Sequence, residues 1–223
     1  MTRRGSRKTI AEQVAERFAF DRMVLAHAGV ELPITREDED GWFVRRVRSQ
    51  AFGIRYAEDS DDEQRVLMGS VDAALFLGSL AETCGVDLVW EADAIDGELC
   101  SVAELLYADD GLLSSETLIA DTASLDALYI HHVRVEPAFR GARLGELLMN
   151  HTIAYHDPTR LAAVLLFVNS QYEMPKDDPF AGAERAKGDR KLAAYYAALG
   201  FRPVPGHRGY MFADLTKGYD VLW

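Results

Sequence analysis

Six residues, Arg140-Gly141-Ala142-Arg143-Leu144-Gly145, carry the most readable chemistry in this chain. They stand between an apolar, β-branched segment, "LYIHHVRVEP", and a helical pattern, "LGELLMNHTIAYH". The first N–H groups of a helix have no partner inside it, and the helix dipole makes that end electropositive. A turn of small residues lets those N–H groups close on a phosphate. Gly141, Ala142 and Gly145 are the small residues, and Arg140 and Arg143 add positive charge. A strand feeding such a turn reads as a diphosphate cradle, although glycine-bearing turns of this kind also serve packing alone. No G-x-x-x-x-G-K-[ST] occurs, which excludes a P-loop NTPase, and no G-x-G-x-x-G follows an early strand, which argues against a dinucleotide fold.

The elements that must position this turn can be read in order. Thr9-Ile10-Ala11-Glu12 is a capping box opening a first helix, which "GVELPITREDEDG" breaks. "WFVRRVRSQAFGIRYA" and "RVLMGSVDAALFLGS" are strand material, separated by the acidic loop "EDSDDEQ". Boxes at Ser79 to Glu82 and Ser101 to Glu104 suggest helical starts, with Gly85 and Gly111 as stops. Beyond the turn come a buried strand, "RLAAVLLFVNS", a helix, "DRKLAAYYAALG", and the strands "FRPV" and "GYMFADL". The pattern is α/β (α+β): one mixed sheet flanked by helices. We expect a single domain over 1–223, with an N-terminal helical extension over about 1–35 and a helical insertion over about 91–120.

Bulk composition narrows the function classes. With 48% hydrophobic and 27% charged residues, the 223-residue chain can bury a full core. A formal charge of −12 argues against a nucleic-acid binder and leans towards a cationic ligand. No apolar run reaches the length of a membrane span. The basic opening "MTRRGSRK" is followed by "TIAEQVAERF", with no apolar signal core, and Glu12 and Glu16 count against a transit peptide. Cys84 and Cys100 match no zinc spacing, so no metal is expected and a reducing, cytoplasmic setting is the simplest reading.

"VRVEPAFRGARLGELLM" resembles motif A of the GCN5-related N-acetyltransferases, a strand and V-x-P followed by [QR]-x-x-G-x-[GA] and a helix. "LAAYYAALGF" resembles their motif B, a tyrosine four residues before Gly-Phe, matched by Tyr196, Gly200 and Phe201. The resemblance covers about residues 125–215. One position departs from it: Arg143 stands where glycine is usual, and its side chain either crowds the pyrophosphate or points away and adds a contact to a coenzyme phosphate. The resemblance implies a mostly antiparallel sheet with a splayed central strand pair that holds acetyl-CoA as cosubstrate. Val133, Arg134 and Val135 would then bind the pantetheine arm by their backbone. The pyrophosphate would sit on Arg140, Gly141, Ala142, Arg143, Leu144 and Gly145.

The implied reaction is direct attack of a primary amine on the thioester. By motif position Tyr196 is the candidate proton donor to the thiolate, a phenol having a pKa close to that of a thiol. Its other reading is a packing tyrosine of an amphipathic helix. His131 is the candidate base, since histidine titrates near neutrality and some arylalkylamine acetyltransferases carry histidines at the matching strand positions. Its other reading is a hydrogen-bonded strand histidine. Strand alternation places Tyr129, His131, Val133 and Val135 on one face and Ile130, His132 and Arg134 on the other, so His131 and His132 should diverge. The acceptor should lie between "WFVRRVRSQAFGIRYA" and the insertion from Glu91 to Gly111, with Trp42, Phe43, Tyr56 and Trp90 as a conceivable aryl wall. "SQYEMPKDDPFAGAERAKG" reads as a loop that could cover the cofactor. The leading function is therefore an acetyl-CoA-dependent N-acetyltransferase of a small amine, with a homodimer expected by resemblance only. The alternatives are a catalytically silent acyl-CoA-binding module and a protein-directed acetyltransferase.

Overall fold

A computed structural model describes residues 8–29, 42–56, 62–109, 111–113, 124–156, 159–169 and 181–217. Seven strands form one sheet in the order β1-β2-β3-β4-β5-β7-β6. They are β1 (Arg22–Gly29), β2 (Val44–Tyr56), β3 (Glu63–Phe76), β4 (Asp126–Val135), β5 (Leu161–Phe167), β6 (Arg202–Pro203) and β7 (Tyr210–Asp214). All neighbouring pairs are antiparallel except β4 and β5, which run parallel at the centre. Six helices cover it: α1 (Ile10–Arg17), α2 (Gly78–Cys84), α3 (Leu88–Ile95), α4 (Gly97–Tyr107), α5 (Leu144–Tyr155) and α6 (Ala181–Ala198).

Two cores lie on opposite faces of the sheet. On one face Ile10, Val14, Leu148 and Ile153 of α1 and α5 pack on Met68, Val71, Leu128 and Ile130, with Leu192 and Tyr196 of α6 and the following Leu199 against them. On the other, Leu88, Leu99, Val102 and Leu106 of α3 and α4 cover Phe76, Ala127, Tyr129 and Phe212. The adjacent residues Tyr129 and Ile130 thus serve opposite cores, as strand pleating requires.

Several elements differ from the sequence reading. The Thr9 capping box is present in full, but α1 stops at Arg17, and Ala19 takes a left-handed conformation at φ 53°. The chain then enters β1, a strand where a helical lead-in was expected, because Arg22–Gly29 pairs along β2. The Ser101 box does not start a helix: Asp96 caps α4, accepting from Leu99 N–H at 2.8 Å, and Ser101 Oγ donates back to Gly97 O. Nor does Ser79 cap α2; its hydroxyl accepts the Leu125 N–H at 2.9 Å and ties the helix to β4. Helix α6 begins at Ala181, within the stretch read as a loop, whose earlier part lies outside the described residues, as does "GVELPITREDEDG" after its first residue, Gly29, which ends β1.

His151 of α5 is half-buried, its Nε2 has no hydrogen-bond partner among the described residues, and burial pushes its imidazole below the ordinary value. Below about pH 6.5 the unfolded chain gains a proton there that the folded chain takes up only at lower pH, so this residue destabilises the protein as pH falls. His151→Leu should therefore shrink the gap between urea midpoints measured at about pH 7.5 and about pH 5.5.

Candidate active site

The central strand pair separates where the sequence motif begins. The β4–β5 ladder runs from Asp126↔Leu161 to Ile130↔Leu166 and ends there, while β4 continues to Val135. From His131 to Val135 the β5-facing edge of β4 has no strand partner among the described residues. Apart from Val135 O, which accepts from Arg140, the main-chain groups of that edge are left open to water or to a ligand.

At the far end of that edge lies the turn that the sequence reads as a diphosphate cradle. Pro137–Phe139 form one 3-10 turn, Arg140 is extended, and Gly141 and Arg143 take left-handed conformations at φ 74° and φ 59°. Arg143 stands at the N-cap of α5 and gives no side-chain cap, and the Leu147 N–H donates to Arg143 O. The N–H groups before Leu147 therefore open from an uncapped helix end. The turn is braced from outside: Arg17 donates to Gly141 O at 2.8 Å, Arg140 to Val135 O at 3.1 Å, and Phe139 meets Phe18 edge to face at 5.1 Å. Arg143 turns its guanidinium onto Glu146 with both nitrogens, Nε reaching Oε2 at 2.8 Å. Arg134 reaches Glu136 at 3.1 Å, so β4 offers its backbone here rather than the Arg134 charge.

A cleft of about 460 Å³ lies on the opposite face of the sheet. Its floor is Arg46 and Arg48 of β2, Asp72 and Ala74 of β3, and His131 and His132 of β4; Asp96, Glu98 and Leu99, at the start of α4, line its other side. His131 and His132 both line this cleft, which strict alternation forbids. The reason is a β-bulge: Ala73 pairs with Ile130 and Asp72 with His132, leaving His131 as the extra residue. The two imidazoles stack with centroids 3.9 Å apart. The bulge also shifts the parity of β4, so Val133 and Val135 pack on the α5 side and Tyr129 packs on the α4 side.

Glu98 organises the cleft. It accepts the Tyr129 hydroxyl at Oε1, 2.5 Å, and its Oε2 lies 3.0 Å from His131 Nε2. A carboxylate so placed is an ion-pair partner for the His131 imidazolium. Burial and the neighbouring His131 push His132 below the ordinary histidine value, so His132 is neutral at neutral pH. Arg46 pairs with Asp96 at 2.7 Å and Arg48 with Asp72 at 2.5 Å, which leaves Glu98 as the carboxylate of this cleft facing histidine instead of arginine. Among the described residues, no group of three or more His, Cys, Asp and Glu is placed to hold a metal ion. Likewise, no helix is long and apolar enough to cross a membrane.

Helix α6 lies on the cradle's face. Phe201 N–H donates to Tyr196 O and Gly200 N–H to Ala197 O, both at 3.1 Å, with Gly200 at φ 94°. That is a Schellman stop, and the Tyr196 and Phe201 rings make its accompanying contact at 6.1 Å. The spacing of Tyr196, Gly200 and Phe201 therefore has a structural cause of its own. Burial raises the Tyr196 phenol above its ordinary value and keeps it protonated. The adjacent Tyr195, which no motif position marked, brings its hydroxyl to this turn: a Cβ on Gly145 would stand 3.6 Å from it, and equally from Val133 and Val135. Trp42, Tyr56 and Trp90 are exposed and line no part of the cleft, and Phe43 packs in the α4-side core, so there is no aryl wall. Asp126 accepts the Ser79 N–H and fastens α2 to β4.

No protein-family model and no curated protein matches this sequence. Solved structures similar to it include the KacTA–DNA complex, at 10% identity over 88% of this chain and 95% of that chain, TM-score 0.41. A Drosophila melanogaster polyamine N-acetyltransferase that forms N-acetylagmatine is 17% identical over 75% of this chain and 74% of its own, TM-score 0.39. A mosquito arylalkylamine N-acetyltransferase-like 5b protein is 15% identical over the same shares, TM-score 0.38.

Proposed function

We propose that this chain is an acetyl-CoA-dependent N-acetyltransferase of the GCN5-related type, acting on a primary amine of a small molecule. One observation supports it above the others: β4 leaves its parallel partner after Ile130 and carries an unpaired edge directly into an uncapped helix N-terminus. A pantetheine arm suits that edge, and a pyrophosphate suits the turn from Arg140 to Gly145. Acetyl-CoA supplies an activated thioester when bound.

The chain's own residues supply the rest. The acceptor enters the cleft as an ammonium, drawn by Glu98, and His131 takes its proton. The neutral nitrogen then forms its bond to the acyl carbon, backbone N–H groups of the β4 edge face the carbonyl oxygen, and the carbon–sulfur bond breaks. Tyr196 gives its phenolic proton to the thiolate, and the product amide nitrogen releases its second proton to restore the phenol. The formal charge of −12 keeps the acceptor a small cationic amine in this reading, with no nucleic-acid partner.

The test is titration of the pure protein with coenzyme A, followed by an amine panel with acetyl-CoA in which thiol release is measured. Saturable coenzyme binding without turnover on any amine would favour a silent binding module. Two further variants divide the α6 tyrosines. Tyr196→Phe should lower kcat by about a hundredfold at unchanged coenzyme affinity, as expected for loss of a general acid. Tyr195→Phe should weaken coenzyme binding several-fold with kcat retained, since its hydroxyl lies at the cradle; unchanged kcat in Tyr196→Phe removes that residue from the chemistry.

A further inference from the structure

Arg143 occupies a backbone conformation that favours glycine, and glycine is what the related motif carries there. Something must offset that cost. The side chain of Glu146, in the first turn of α5, is 4% exposed, and it is held by Nε and Nη2 of the Arg143 guanidinium. A buried carboxylate near the start of a helix is favoured by the dipole, but it lies close to the same N–H groups that would receive a diphosphate. Left alone, Glu146 would repel that anion through a poorly screened path. The neighbouring cations do not serve it in the structure: Arg17 is bonded to Gly141 O and Arg140 to Val135 O.

We propose that Arg143 is a positioning residue that acts through Glu146: its bidentate ion pair cancels the buried carboxylate and so keeps the α5 N-terminus receptive to the coenzyme's pyrophosphate. The inference rests on the coenzyme reading above. It replaces the two simpler roles for this arginine, steric obstruction and direct phosphate contact, with a third.

Four proteins test it: wild type, Arg143→Gly, Glu146→Gln and the double variant, each titrated calorimetrically with coenzyme A and each melted without ligand. Glycine suits the local backbone, so Arg143→Gly isolates the loss of charge. It should weaken coenzyme A by roughly tenfold or more, the scale for leaving a buried charge without its partner. Glu146→Gln alone should bind at least as tightly as wild type. The double variant should return to within about threefold of wild type, a coupling between residues in contact. Arg143→Gly binding as well as wild type would overturn the proposal. So would a double variant no tighter than Arg143→Gly, which would make Arg143 a direct phosphate ligand. Absence of binding by wild type would reject the coenzyme reading itself. The ligand-free melts separate that case, because Arg143→Gly should still melt below wild type and the double variant should recover.

Discussion

Replacing His131 by alanine is expected to lower kcat/KM for an amine acceptor by about a hundredfold at neutral pH, the contribution of a positioned general base. Coenzyme A affinity should be unchanged, because His131 lines the cleft on the face opposite the cradle. The pH dependence carries the diagnosis. A primary amine loses its proton in solution near pH 10, so a base that only strips the ammonium becomes dispensable as that value is approached. The deficit of His131→Ala should therefore narrow as pH rises. A deficit constant across pH would instead assign His131 to holding the acceptor. Glu98→Gln should reproduce a smaller loss, about tenfold, since the amide still accepts from Tyr129 but no longer orients or stabilises an imidazolium. His132 enters as a control. Its imidazole is already held below the ordinary value by burial and by His131, so His132→Gln should leave the neutral-pH rate near that of the wild type.

What could be read beforehand in this site was local, and what could not was set at long range. The cradle was legible because Pro137, the small residues and the helical period of α5 act within one turn of chain. The end of α6 was legible for a similar reason: Gly200 takes the left-handed stop, and Phe201 folds back on Tyr196. The mostly antiparallel sheet with one splayed central pair is as the resemblance implied, and the parting of β4 from β5 provides that pair. The bulge at His131 was invisible, because it depends on how β4 registers against β3, some sixty residues earlier in the chain. That single extra residue reverses which side chains share a face, and alternation applied from Tyr129 onwards gives the wrong partners for Val133 and Val135. Glu98 was missed for a related reason. No spacing marks it, and it reaches Tyr129 and His131 only because Asp96 caps α4 and turns the helix start towards the sheet. β1 was misread because its pairing with β2, not its own composition, makes it a strand.

A bulky residue at position 145 should weaken coenzyme binding by about tenfold to a hundredfold or more while leaving the protein folded. Gly145 is the second residue of α5, and a Cβ built there makes ordinary contact at 3.6 Å with the Tyr195 hydroxyl, Val133 and Val135. Alanine therefore fits, and it should stabilise the helix by up to about 1 kcal/mol relative to glycine. Binding by Gly145→Ala should remain close to wild type, in keeping with the alanine that the related motif accepts at this position. Leucine cannot stop at 3.6 Å. Its branch must displace Tyr195, part β4 from α5, or project into the space over the helix end, and overpacking of this kind costs about 1–3 kcal/mol. Either the valine-lined approach or the N–H cradle is then lost to the ligand, a change of about tenfold to a hundredfold or more in affinity. Calorimetry with coenzyme A on both variants, with melting curves to show that each is folded, reads the prediction. Leucine binding as tightly as alanine would mean that the pyrophosphate does not lie on this turn, and the edge of β4 from His131 to Val135 would lose its proposed occupant with it.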